Sequence, residues 1–132
     1  MKITADTDVL VRAMTGDDAR QAQVAQKELA RAETVALTLP ALCELAWVLS
    51  RGYKAPALEI AEGIRRLIDA ANVAVNRPAA EAGLAQLDAG GDFADGVIAF
   101  EGDWLAAPTF VSFDKEAVRL LKARGESARL LS

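Results

Sequence analysis

Short β-rich runs alternate with longer helical segments along the whole of this 132-residue chain. That alternation constrains the fold more than any other feature, because it implies βα units and a parallel sheet covered by helices. The β-rich runs are Lys2 to Ala5, Thr34 to Leu39, Asn72 to Val75, Thr109 to Phe113 and Ala128 to Leu131. Between them lie segments with helical periodicity. One follows Asp17 and Asp18 through Val24 and Leu29. A second starts at Pro40 and stops at Gly52, and a third starts at Pro56 and carries Leu58, Ile60, Ile64, Leu67 and Ile68. A fourth runs from Pro78 to the break at Gly90-Gly91, a fifth from Asp92 to about Leu105, and a sixth from Lys115 to Arg124, ended by Gly125. The pattern reads as one domain over 1–132, without repeats or an interdomain linker. The expected architecture is a three-layer α/β/α sandwich around a central parallel sheet.

In such a sheet, ligands sit beyond the carboxyl ends of the strands. The first strand ends at Asp6 and the fourth at Asp114, which places two carboxylates on that edge. Each also has a local reading, as the N-cap of the helix that follows. Asp92 follows Gly-Gly at a helix start, and capping is the preferred reading of it. Glu44 lies in Leu-Cys-Glu-Leu-Ala-Trp-Val-Leu, a helix that reads as apolar nearly all round. A carboxylate buried there needs a partner or a metal. Asp95 lies three residues after Asp92, on the same helix face, and precedes the apolar Val97-Ile98-Ala99-Phe100.

Composition decides which chemistry these acids can do. The chain has no His and one Cys, so catalysis by a Ser-His-Asp or Cys-His set is excluded, as are His₃ and Cys₄ zinc sites and intrachain disulfides. Acids exceed bases by 19 to 15, giving a net charge of −4. The excess is local. Residues 81–103 hold six acids and no base, whereas 105–132 hold five bases against three acids. Clustered carboxylates raise one another's pKa unless a cation intervenes. Hard divalent ions with oxygen ligands, Mg²⁺ or Mn²⁺, are the natural partner, and hydrolysis of a phosphodiester is the reaction such a site suits. The opening residues do not form a signal peptide, and no stretch approaches the ~18 apolar residues of a membrane span. A cytoplasmic protein is the expectation.

Four segments in order resemble the motifs of the PIN-domain family. They are Asp6-Thr7-Asp8-Val9-Leu10, Leu39-Pro40 to Glu44-Leu45 with Trp47-Val48-Leu49, Gly91-Asp92-Phe93-Ala94-Asp95 with Val97-Ile98-Ala99, and Phe110-Val111-Ser112-Phe113-Asp114. The nearest type is the VapC toxin ribonuclease of bacterial toxin–antitoxin pairs. The resemblance implies metal-dependent cleavage of RNA, with Asp6, Glu44 and Asp95 as metal-binding catalytic acids and Asp114 completing the site. It implies that Thr7 and Ser112 orient those carboxylates and that Asp92 is an accessory acid. It also implies a homodimer and a cognate antitoxin that occupies the cleft. The family usually has Asn where this chain has Asp8, which adds a charge beside Asp6. Arg12, Arg51 and Lys115 are candidates for a basic rim that guides RNA. Two alternatives stay open. Asp6-Thr7-Asp8-Val9 also resembles the aspartate loop of haloacid-dehalogenase-like phosphatases, with Asp6 as nucleophile; that chemistry needs a Lys, and only Lys27 and Lys54 lie between Asp8 and Asp92. The other is a binding module that kept the fold without activity.

Overall fold

The computed structural model describes residues 1–132 and divides into two compact units, Met1–Arg77 and Pro78–Ser132. The first contains β1 (Lys2–Thr4), α1 (Thr7–Thr15), α2 (Ala19–Arg31), β2 (Thr34–Leu37), α3 (Leu39–Arg51), α4 (Ala57–Asp69) and β3 (Val73–Val75). Its strands pair in the order β1-β2-β3, parallel throughout, with Ile3 opposite Val35 and Leu37 opposite Val75. The central strand is the most buried, through Val35 and Leu37. Leu10 and Val11 of α1, Leu42, Leu45 and Leu49 of α3, and Ile60, Ile64 and Ile68 of α4 complete this core.

Caps set the helix boundaries. Asp6 accepts from the Thr7 amide, Asp18 from Gln21 and Thr38 from Ala41. Helix α1 ends at Gly16, whose φ of 65° is the left-handed conformation that glycine adopts without strain. Asn72, read from sequence only as the start of a strand, does something more. Its Nδ2 donates to the carbonyls of Leu29 and Ala32 at 2.8 and 3.0 Å, satisfying carbonyls at the end of α2 that have no helical partner.

The second unit contains α5 (Arg77–Asp88, of which Pro78 onward belongs here), α6 (Phe93–Trp104), β4 (Phe110–Ser112), α7 (Lys115–Ala123) and β5 (Ala128–Leu130). β4 and β5 pair in parallel, with Phe110 opposite Ala128 and Ser112 opposite Leu130. All strand pairing in the chain is therefore parallel, as the βα alternation requires, and the fold class is α/β. Leu84, Leu87, Phe93, Val97, Val118 and Leu121 form the core of this unit. Helices α5 and α6 meet through glycine. A Cβ on Gly96 would lie 2.2 Å from the Ala82 carbonyl oxygen, and one on Gly83 would lie 2.6 Å from the Phe93 ring. The buried Gln86 ties α5 to α7 through Nε2, which donates to the Ala117 carbonyl at 3.4 Å. No helix of the chain is long and apolar enough to cross a membrane.

Candidate metal centre

The second unit brings three acids together. One carboxylate oxygen from each of Asp92, Asp95 and Asp114 lies within 4.8 Å of the other two. Local structure explains the position of each. Asp92 stands at the N-cap of α6, and Asp95 lies one turn further on the same face, its amide donating to the Asp92 carbonyl at 3.2 Å. Asp114 follows β4 and caps α7. Its Oδ1 accepts from the amides of Glu116 and Ala117 at 3.0 and 3.1 Å, while the Ser112 hydroxyl accepts from the Asp114 amide at 2.9 Å. Ser112 thus bonds the backbone of Asp114.

Asp92 departs from expectation. It occupies the N-cap position but makes no side-chain cap bond. Its carboxylate lies with those of Asp95 and Asp114 instead. Asp95 carries the electrostatic strain of the cluster. Burial, then the negative charges of Asp92 and Asp114, push its carboxyl from the ordinary aspartate value of 3.8 up to about 6. Three hard oxygen donors whose charges repel fit a divalent cation such as Mg²⁺ or Mn²⁺.

Asp6 and Glu44 lie in the first unit. Together with Thr7 they line two cavities of about 340 and 390 Å³. Asp6 sits at the end of the β1 segment as the N-cap of α1, and Thr7 beside it is buried. Glu44 requires a correction. It is exposed, not buried, because α3 is amphipathic. Leu42, Leu45, Ala46 and Leu49 face the core, while Glu44 shares the outer face with Trp47, which is 63% exposed. Glu44 therefore needs no partner to offset burial, and its carboxylate is available to a ligand in either cavity.

The second cavity is also lined by Asp8, Arg12 and Tyr53. The Tyr53 hydroxyl donates to Asp17 at 2.6 Å, and Arg12 donates to the same carboxylate at 3.1 Å. The Tyr53 hydroxyl, ahead of Thr15 and Arg12, holds the Asp17 carboxyl below the usual aspartate range. Sequence pattern gave no sign of the Tyr53–Asp17 contact, which joins residues 36 apart. Arg51 and Lys115 are exposed, at the end of α3 and the start of α7. Lys27 lies within α2 and Lys54 in the loop after α3, so neither ends a strand as the phosphatase alternative requires.

No curated protein matches the chain at a significant level. The family model for the PIN domain matches residues 3–122 and so takes in all four motifs and every acid of both groups. The chain belongs to the PIN domain family.

Proposed function

We propose that this protein is a metal-dependent endoribonuclease of the VapC toxin type, hydrolysing RNA phosphodiester bonds with Mg²⁺ or Mn²⁺. The PIN domain is a nuclease fold. The observation that carries the reading is the convergence of Asp92, Asp95 and Asp114, with the Asp95 carboxyl held near 6 by burial and by its neighbours. A divalent ion, when bound, supplies Lewis acidity toward a phosphate oxygen and makes a bound water more acidic. Asp95 and Asp114 hold it, with Asp92 as an accessory ligand. Asp6 and Glu44 are also proposed as metal-binding acids, on the strength of the PIN motifs they occupy. Ser112 and the first turn of α7 keep Asp114 from rotating away. With no His in the chain, a carboxylate would serve as the proton acceptor for the attacking water. RNA is guided by Arg12, Arg51 and Lys115. A cognate antitoxin restrains the activity, and the toxin works as a homodimer in the cytoplasm.

The test uses purified chain, free of any partner, and RNA in Mn²⁺, Mg²⁺ or EDTA. Cleavage is expected with either metal and not with EDTA. Asp6→Asn is expected to remove cleavage and leave the fold intact, because Asn caps a helix as well as Asp. Cleavage that persists in EDTA, or full activity in Asp6→Asn, overturns the proposal. Metal binding alone has its own readout. At a hundredfold excess over its dissociation constant, the ion is expected to stabilise the fold by about 2.7 kcal/mol. Thermal unfolding should show this as a rise in Tm of several degrees.

A further inference from the structure

The 390 Å³ cavity lined by Asp6 and Glu44 also holds an aromatic ring and a guanidinium. Tyr53 and Arg12 both line it, and both are held by one carboxylate, that of Asp17. Thr15 steadies that carboxylate through a further bond at 3.0 Å. An aromatic ring and a guanidinium, fixed side by side, are the two groups by which proteins hold an unpaired nucleotide: the ring stacks the base and the guanidinium binds the phosphate. Asp6, Asp8 and Glu44 line it too, and its single cation, Arg12, is paired with Asp17. A divalent cation, when bound, would lower the negative charge that Asp6, Asp8 and Glu44 present to a phosphate. Asp8 adds an acceptor-only group, which pairs with the amino group of a base and not with a carbonyl.

We propose that this cavity is a nucleotide subsite of the nuclease, in which an unpaired base stacks on Tyr53 and its phosphate rests on Arg12. The inference rests on the nuclease reading and names how that site takes its substrate. Tyr53 is a positioning residue: it seats the RNA and leaves the chemistry to the acids. A base in a duplex cannot reach the ring, so this subsite takes an unpaired nucleotide.

The test compares Tyr53→Leu and Tyr53→Phe on a single-stranded RNA oligonucleotide cut by the wild type. Each is also assayed with an abasic nucleotide placed in turn at positions flanking the cut. Tyr53→Leu removes the aromatic face, and KM is expected to rise about 5- to 100-fold with kcat little changed. Tyr53→Phe keeps the face and is expected to restore wild-type KM to within about threefold. At one flanking position the abasic nucleotide should cost the wild type the same factor as Tyr53→Leu, and cost Tyr53→Leu nothing further. Fluorescence anisotropy of the labelled oligonucleotide on an Asp95→Asn background should give the same ranking in Kd. The wild-type abasic series keeps the proposal testable without any variant.

Unchanged KM in Tyr53→Leu, a loss confined to kcat, or equal cleavage of abasic and intact RNA overturns the subsite and leaves the nuclease reading in place. A wild-type chain that neither cuts nor binds RNA with Mn²⁺ or Mg²⁺ overturns the nuclease reading, and the subsite with it.

Discussion

Replacing Asp95 by Asn is expected to lower the rate of RNA cleavage by about a thousandfold and, in metal-free protein, to raise stability at pH 7. The first effect follows from losing a ligand whose contribution to the transition state is several kcal/mol. The second follows from the charge that Asp95 bears against its surroundings. Its folded-state pKa, about 6, lies above the ordinary value of 3.8, so the folded chain holds this proton more tightly than the unfolded chain does. The stabilising contribution of the protonated group is complete below about 3.8 and is lost as pH rises through 6. Above 6 the full penalty applies. The rise corresponds to at most about 3 kcal/mol, reduced to about 1–2 kcal/mol by solvent around a half-buried group. Asn keeps the shape and removes the charge, so that much stability should return. Urea unfolding in EDTA at pH 7 and at pH 4 checks it: the gain should be present at pH 7 and nearly absent at pH 4. A destabilised Asp95→Asn at pH 7 would show that Asp95 has a structural partner. Adding Mn²⁺ should reverse the order of the two proteins, because only the wild type binds it well.

Gly96→Ala is expected to destabilise the chain by about 2–3 kcal/mol, although alanine is the better helix former. Helix propensity alone favours the substitution by about 0.5–1 kcal/mol, since Gly96 is inside α6. Contact reverses the sign. The added methyl would stand 2.2 Å from the Ala82 carbonyl oxygen and 2.9 Å from the Gly83 Cα. Both are backbone atoms of α5, so no side-chain rotation relieves the overlap and the two helices must separate. Separation also lifts Phe93 from Gly83, opening space around the largest fully buried side chain of the chain. A fall in Tm of roughly 5–10 °C is the readout. Gly102 is the internal control, in the same helix. A Cβ there meets only the Ala107 carbonyl, at 3.4 Å, so Gly102→Ala should be close to neutral.

These results bear on what a sequence can disclose. The helices and strands were legible because their signals are local: alternation, proline at helix starts, and aspartates at Asp18 and Asp114 that do cap. The acids of the second unit were legible for a related reason. Asp92 and Asp95 share a face by spacing alone, and Asp114 ends a strand. Misreadings arose where exposure had to be guessed. Trp47 was counted as apolar and therefore inward, which made α3 look buried all round and Glu44 look stranded. Position alone makes Asp92 a helix cap and the PIN motifs make it an accessory acid, and its side chain makes no cap bond. Contacts far apart in the chain left no trace at all. Neither Tyr53 on Asp17 nor Asn72 on the end of α2 has a spacing rule that finds it. No pattern in the sequence marks the glycines at 83 and 96 as points at which one element approaches another.

The bonding of Asp114 has a consequence for reading relatives of this chain. One of its oxygens is taken by two amides of α7, and only the other is free for a cation. The residue is thus under two separate demands, and the fold alone would keep an Asp there after any chemistry had lapsed. Asp92 and Asp95 have no such second duty, since neither side chain caps a helix. In a PIN-domain chain that has drifted into a purely adhesive life, those two acids should go first. An intact Asp at the start of the last helix is therefore poor testimony to activity, and an intact pair at the start of α6 is good testimony.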